Sequence, residues 1–170
     1  LAPDSFYDWK WQVRNRITSF EQLEQIYKLR PEERSSFEQA GRLFRFAVTP
    51  YYALLADSED EACPIRQQIV PSEAETSISI GERGDPLGEE ELEAAPNLIH
   101  RYSDRALLLV TDRCPVYCRF CTRRRIVGRV EEQSTRALLA EAFAYIKNTK
   151  SISEVILSGG DALMLGDNQL

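Results

Sequence analysis

Apolar positions in the first hundred residues recur mostly at helical spacing. Thr18-x-x-Glu21 reads as a capping box, with Phe20, Leu23, Ile26 and Tyr27 following on one face. Pro31-Glu32-Glu33 opens a second helix, proline in its first turn and acids at the positive dipole end. That helix is predicted to reach about Phe46, with Phe37, Ala40, Leu43 and Phe44 on one side. Pro50 begins a short helix over Tyr51–Ala56, and Asp57–Glu61 is an acidic turn. Glu82–Pro96 reads as loop: it holds Gly84, Pro86 and Gly88, then four acids in the five positions from Glu89 to Glu93. A boundary is placed near Pro96, giving a mainly helical region over 1–96 and a second region over 97–170.

Beyond that point the pattern changes type. Ala106–Thr111 is a continuous apolar run that fits a strand buried on both faces. Thr135–Asn148 is helical, lined by Leu138, Leu139, Ala142, Phe143 and Ile146, and Glu154–Ser158 is a second buried strand ending in Gly159-Gly160-Asp161. Strand, loop, helix and strand of these lengths make a βαβ unit with parallel strands, so the fold class is α/β. Ligands in such folds gather at the carboxyl ends of the strands. The cysteine-bearing loop after the first strand and the Gly-Gly-Asp turn after the second both lie there. Two strands close no barrel, and the chain stops soon after the second; a fragment of a larger fold is expected.

Composition narrows the class. The chain of 170 residues is 43% apolar and 28% charged, which excludes disordered, collagen-like and low-complexity proteins. No apolar run is long enough to span a bilayer, and Leu1-Ala2-Pro3-Asp4 lacks the features of a secretory signal. A soluble cytoplasmic protein without a membrane partner is expected. The net charge of −6 is unevenly spread. Residues 1–100 carry 10 basic and 19 acidic side chains, whereas 101–129 carry eight arginines against Asp104 and Asp112. Arginine makes planar bidentate contacts with carboxylate and phosphate. The stretch is therefore either a solvated basic face or an anion-handling site.

The four cysteines favour the second reading. Cys114, Cys118 and Cys121 form a C-x3-C-x2-C group, with Cys63 far upstream. Such clustering is unlike a disulfide framework. A structural zinc site wants four ligands, usually in two close pairs, and the one histidine, His100, is poorly placed to complete a pair. Thiolates at short spacings hold iron–sulfur clusters. Three of them leave one iron of a four-iron cluster without a protein ligand, and an open coordination position is where a small molecule binds. Cys63 is either a fourth ligand or, as is commoner for an isolated cysteine, a small structural side chain.

The residues around these cysteines resemble the lysine 2,3-aminomutase family of the radical S-adenosylmethionine superfamily. Cys114-Pro-Val-Tyr-Cys118-Arg-Phe-Cys121 is similar to the superfamily's CxxxCxxC motif, with an aromatic residue before the last cysteine. His100-Arg-Tyr-Ser-Asp-Arg105, Leu107–Asp112, the run of Thr122 and three arginines to Arg125, and Leu157-Ser-Gly-Gly-Asp-Ala-Leu163 resemble the family more narrowly. Asp8-Trp-Lys-Trp-Gln-Val-Arg-Asn-Arg16 resembles its amino-terminal segment. The resemblance runs along nearly the whole chain but spans only the first part of a family member.

The resemblance implies a partial (βα)6 TIM-like barrel, begun here and truncated at the carboxyl end. It implies that Cys114, Cys118 and Cys121 hold a 4Fe–4S cluster whose fourth iron chelates S-adenosylmethionine, cleaved after electron transfer to a 5′-deoxyadenosyl radical. Phe120 matches the position beside the adenine, and Ser158, Gly159, Gly160 and Asp161 match the turn at the methionine end. Arg101, Tyr102 and Arg105 match positions bordering pyridoxal 5′-phosphate, and Arg123 matches the position that pairs with the substrate carboxylate. Arg119, Arg124, Arg125 and Arg129 remain unassigned between salt bridge and ligand contact; His100, Tyr117 and Asp112 read as structural. The family's pyridoxal lysine, substrate-selecting carboxylates and carboxyl-terminal zinc cysteines match nothing here, so this stretch alone is expected to be inactive. The implied reaction moves an amino group from the α to the β carbon of an amino acid, lysine first, with glutamate, arginine or a lysine bound for a translation factor as relatives. A reductant such as flavodoxin or ferredoxin and a homo-oligomeric full-length enzyme are implied as well. The reading of another class is a non-catalytic metal-binding or nucleic-acid-binding module; interleaving of the arginines with a buried strand argues against nucleic acid.

Overall fold

Helices of the first eighty residues are short, and three of them open at a proline, Pro31, Pro50 and Pro64. The computed structural model describes residues 4–77, 79–128 and 136–169. Chain contacts gather into two compact units, Leu1–Glu82 with Pro115–Cys121, and Arg83–Cys114 with Thr122–Leu170. Compactness thus divides the chain at Glu82, ahead of the composition change near Pro96, and assigns the middle of the cysteine loop to the first unit.

Among its described residues the first unit holds five α-helices: α1 (Trp9–Arg14), α2 (Phe20–Leu23), α3 (Pro31–Leu43), α4 (Pro50–Ala53) and α5 (Pro64–Ile69). The cap of α2 lies one residue later than the sequence pattern placed it. Ser19 Oγ accepts from the Gln22 amide at 3.3 Å, while Gln22 Oε1 accepts from the Thr18 amide at 2.7 Å. This register buries both Phe20 and Leu23, one helical turn apart. The helix stops at Leu23, so Ile26 and Tyr27 enter the core from turns.

Proline leads α3 as expected, and the Arg30 amide donates to Glu33 Oε2 at 2.7 Å. The helix ends at Leu43 rather than near Phe46 because Phe44 and Phe46, two apart, both face inward. Only an extended backbone puts residues i and i+2 on one side. Val48 continues that segment and pairs with Ile17 in an isolated antiparallel bridge. Leu23, Tyr27, Phe46, Val48, Ala53 and Ile69 form the centre of this unit's core. Beside it Arg66 is buried against Glu33 at 2.9 Å and also donates to the Ser58 and Lys28 carbonyls.

The second unit is a four-stranded sheet with α6 (Arg136–Asn148) on one face: β1 (Glu93–Ala95), β2 (Leu98–Tyr102), β3 (Arg105–Thr111) and β4 (Glu154–Gly159), in the order β1-β2-β3-β4. The β1–β2 and β2–β3 pairs are antiparallel, and β3–β4 is parallel across the α6 crossover. The mixed α/β class and the βαβ unit are therefore present. β1 lies in the stretch read as loop; Asn97, at φ 64°, turns the chain from β1 into β2, and asparagine tolerates that left-handed conformation.

Neither apolar strand is buried on both faces. Ala106, Leu108 and Val110 of β3 are buried beneath Leu139, Ala142 and Ile146 of α6, while Leu107 and Leu109 on the other face are half-buried. On β4, Ile156 and Leu157 are exposed, since β4 stands last in the sheet order with β3 on one side. Phe143 of α6 is exposed as well, and Tyr145 packs in its stead. Thr135 and Arg129, with the side chain of Leu138, lie outside the described residues. No described helix is long and apolar enough to cross a membrane.

Candidate functional site

The carboxyl ends of β3 and β4 are locked by backbone contact. The Gly160 amide donates to the Thr111 carbonyl at 2.6 Å, and the Asp161 amide to the Arg113 carbonyl at 2.8 Å. A Cβ on Gly159 would stand 2.1 Å from the Thr111 oxygen, and one on Gly160 2.2 Å from the Arg113 oxygen. Gly159 also has φ at +118°, which L side chains rarely adopt. Both glycines are thus required by the approach of the turn to the segment that leads into Cys114. The Asp161 carboxylate caps the next turn, accepting from the Leu163 amide at 3.0 Å.

Cys114 closes this segment in the second unit, and Cys118 and Cys121 lie in the first. None of the four cysteines is in a disulfide, and each is half-buried. The Cys121 amide donates to the Cys118 carbonyl at 3.0 Å, folding that pair into a turn. Burial pushes the Cys118 thiol up from its ordinary value, and the neighbouring Cys121 adds to the effect. A thiol so placed would take a metal with release of its proton. Phe120, between them, is 66% exposed. Among the described residues no three His, Cys, Asp or Glu side chains are gathered as a ready metal site. As donors, three thiols with no nitrogen or carboxylate among them suit iron–sulfur chemistry.

Cys63 takes a structural place, as the N-cap of α5 rather than as core filler. The Arg66 amide, and after it the Asp57 amide at 3.3 Å, holds its thiol below the ordinary value.

The arginines divide sharply. Arg119 is buried against Glu75, with Nε–Oε1 at 3.0 Å and Nη2–Oε2 at 2.7 Å. Arg123 is held side-on by the buried carboxylate of Glu89, Nη2–Oε1 at 2.7 Å and Nε–Oε2 at 3.1 Å, and its Nη1 donates to Ser158 Oγ at 3.2 Å. Arg125 bridges Asp85, Glu89 and Glu90 at 3.3–3.5 Å. The Glu90 amide, then Arg125, keeps the Asp85 carboxyl below its usual value. Arg124 is exposed. Sequence reasoning missed Glu75 and Glu89. Each carried a faint signal, Glu75 as the fourth residue of Ser72-x-x-Glu75 and Glu89 as the head of the acidic run, but neither signal names a partner.

Arg101, Tyr102 and Arg105 stand together at the β2–β3 hairpin, all exposed. Arg101 donates to the Leu87 carbonyl, and Arg105 pairs with Asp104 at 3.0 Å, which lowers the Asp104 carboxyl. This trio lies at the opening end of β3, the length of the strand, about 20 Å at ~3.3 Å per residue, from the end that leads to Cys114. The structure therefore brings Ser158, Gly159, Gly160, Asp161 and Arg123 toward one strand end and leaves the hairpin trio at the other. His100 is structural: its Nδ1 lies 2.9 Å from Tyr145 Oη, with the rings edge to face.

No protein-family model matches the chain. Individual curated proteins do. L-lysine 2,3-aminomutase of Acetoanaerobium sticklandii is 43% identical over 170 residues, covering all of this chain and 41% of that protein. The protein of the same name from Clostridium subterminale is 43% identical over 163 residues, 96% of this chain and 39% of the relative. Glutamate 2,3-aminomutase of Clostridioides difficile is 37% identical over 167 residues, 98% of this chain and 39% of the relative. The chain spans about two fifths of the length of the curated relatives it matches. Matched along its whole length to several proteins of one name, the chain belongs to the lysine 2,3-aminomutase family.

Proposed function

We propose that this chain is the cluster-binding part of an isomerase, a 2,3-aminomutase that moves the α-amino group of an amino acid, L-lysine foremost, to the β carbon. Cys114, Cys118 and Cys121 would hold a 4Fe–4S cluster. S-adenosylmethionine would lie against Phe120 and the Ser158–Asp161 turn, and pyridoxal 5′-phosphate would be met by Arg101, Tyr102 and Arg105. When bound, these groups supply one-electron radical chemistry and an electron sink for the migrating amine, although the described residues that would meet pyridoxal 5′-phosphate stand at the other end of β3 from the cysteine loop. In the same reading, β3-α6-β4 is the first βαβ unit of a partial (βα)6 barrel. The compartment is the cytoplasm, the electrons come from a flavodoxin or ferredoxin, and the complete enzyme is a homo-oligomer.

The residues of the chain support distinct tasks. A guanidinium has five N–H donors. Glu89 and Ser158 engage the Nε edge and one Nη1 direction of Arg123. One N–H on each of Nη1 and Nη2 is left to donate to an amino-acid carboxylate, the bidentate recognition for which arginine is suited. The Gly159–Gly160 approach fixes the backbone ahead of Cys114, and an exposed aromatic such as Phe120 offers a face for a purine. A nucleic-acid module is disfavoured, because Arg119, Arg123 and Arg125 are already tied to carboxylates.

The observation that carries the proposal is the trio of thiols in C-x3-C-x2-C spacing within a chain of this family. Anaerobic iron–sulfur reconstitution of the 170-residue chain tests it. A reduced cluster whose electron paramagnetic resonance spectrum changes on adding S-adenosylmethionine is expected, abolished by Cys118→Ala and retained in Cys63→Ala. A spectrum indifferent to S-adenosylmethionine refutes the radical reading, and loss of the cluster in Cys63→Ala would make that residue a ligand.

A further inference from the structure

We propose that Glu75 is a positioning residue for the Cys118 and Cys121 thiols, acting through Arg119; the inference rests on the cluster assignment above. Arg119 sits between the two cysteines, yet its side chain is only 5% exposed and that of Glu75 11%. All three guanidinium nitrogens are engaged. Nε and Nη2 take the two Glu75 oxygens, and Nη1 donates to the carbonyls of Arg45 at 3.1 Å and Phe44 at 3.5 Å. The guanidinium also stacks 5.1 Å from the Phe44 ring centroid. With four of its five N–H groups engaged and its side chain buried, this cation is poorly placed to receive a ligand. Its role is to pin the loop.

The backbone agrees. The Tyr117 amide donates to the Ala47 carbonyl at 2.8 Å and the Arg119 amide to the Gln68 carbonyl at 3.0 Å, so the residues on either side of Cys118 are docked. Phe120, one residue on, is exposed. The loop thus runs from an anchored point to an open one, and the turn between Cys118 and Cys121 starts at the anchor. Removing the Glu75 charge leaves a buried guanidinium uncompensated, a state costly enough to expel the side chain. Expulsion would release the Arg119 amide and with it the spacing of the two thiols.

The same unit contains a second buried pair, Arg66–Glu33 at 2.9 Å, with side chains 2% and 12% exposed; it makes no hydrogen bond to the Ala47 carbonyl that takes the Tyr117 amide, although Arg66 shares α5 with Gln68. Comparing Glu75→Gln with Glu33→Gln in the 170-residue chain therefore separates loop positioning from general stability. In the metal-free chain, hydrogen exchange at the Tyr117 and Arg119 amides should speed up about tenfold or more in Glu75→Gln, the loss of one charge-assisted contact; in Glu33→Gln the Tyr117 amide, whose acceptor Ala47 lies outside α5, should stay at the wild-type rate. After anaerobic reconstitution, iron and sulfide per folded chain should fall several-fold in Glu75→Gln only, with partial recovery in Glu75→Asp, which keeps the charge. If Glu75→Gln does not fold, Glu75→Asp, whose shorter side chain lengthens the contact while keeping the charge, is compared with Glu33→Asp in the same two assays, and a faster Tyr117 amide in Glu75→Asp alone is expected. Equal effects of the two Gln variants, or unchanged exchange in Glu75→Gln, overturn the proposal. A wild-type chain that takes up no iron–sulfur refutes the cluster assignment itself, which the exchange rates distinguish from failure of the Glu75 anchor.

Discussion

Replacing Gly160 by alanine should open the carboxyl end of the β3–β4 pair. The new methyl would lie 2.2 Å from the Arg113 carbonyl oxygen, 2.7 Å from its carbon and 3.0 Å from its nitrogen, all backbone atoms that cannot rotate away. Relief needs roughly 1 Å of separation, enough to take carbonyl and methyl to van der Waals contact. The same movement stretches the Gly160–Thr111 and Asp161–Arg113 bonds, now 2.6 and 2.8 Å. Each such bond contributes about 1 kcal/mol net, and a buried group left unpaired costs about 1–3 kcal/mol. The expected destabilisation is therefore about 2–4 kcal/mol. Gly160 is chosen over Gly159 because its φ is not positive, so the effect is steric alone. Urea denaturation of wild type and variant, with the slope held common, gives the difference. Hydrogen exchange at the Gly160 and Asp161 amides locates it. A change below about 0.5 kcal/mol, the range of an ordinary surface substitution, or unaltered exchange at those two amides would refute the claim that backbone approach dictates this glycine.

Gly41→Ala is the matched opposite. Gly41 lies within α3 with nothing inside 4 Å of a built Cβ, so the variant should gain about 0.5–1 kcal/mol in the same denaturation assay. Tyr27→Phe tests a buried phenol. Burial pushes Tyr27 up to about 12, and its hydroxyl donates to the Ala53 carbonyl at 2.7 Å. A pKa raised in the folded state gives stability present below the unfolded value near 10 and lost as pH rises through 12. Wild type should therefore lose about 2–3 kcal/mol between pH 10 and 12, whereas the phenylalanine variant should start about 1 kcal/mol lower at neutral pH and lack that loss. Parallel alkaline profiles from denaturation at stepped pH would count against the assignment.

The parts of the fold legible in the sequence are those set by local pattern. β3 and β4 follow from apolar runs too short for helices, and their parallel pairing follows from the helix between them. Pro31 and the acids after it mark the start of α3. Its end is another matter, because Phe44 and Phe46 satisfy a helical face in the sequence while tertiary packing demands that both point inward from an extended strand. β1 is unreadable for the converse reason. Glu93–Ala95 has little strand character of its own and is a strand only because β2 offers it an edge. The exposure of Ile156, Leu157 and Phe143 likewise depends on which faces other elements cover, a property no single segment carries.

The charge pattern shows the same limit at the site. Read along the chain, an acidic first hundred residues and an arginine-rich stretch look like separate surfaces, and the arginines look available to anions. In space, Glu75 occupies Arg119, while Asp85, Glu89 and Glu90 occupy Arg123 and Arg125. Part of the acidic excess is thus the counter-charge of the basic stretch. What separates a structural arginine from a ligand-binding one is then the number of donor directions left over, not the charge. Arg119 has its carboxylate on one edge and two carbonyls on the remaining nitrogen. Arg123 has one edge filled and its paired Nη end turned to no second carboxylate among the described residues. Both are arginines within two residues of a cysteine of the C-x3-C-x2-C group, each with a buried glutamate as partner. Their different surroundings follow from geometry that residue type and spacing cannot encode, and this is why Arg119, left unassigned by its sequence position, is proposed as an anchor and Arg123 as a carboxylate partner.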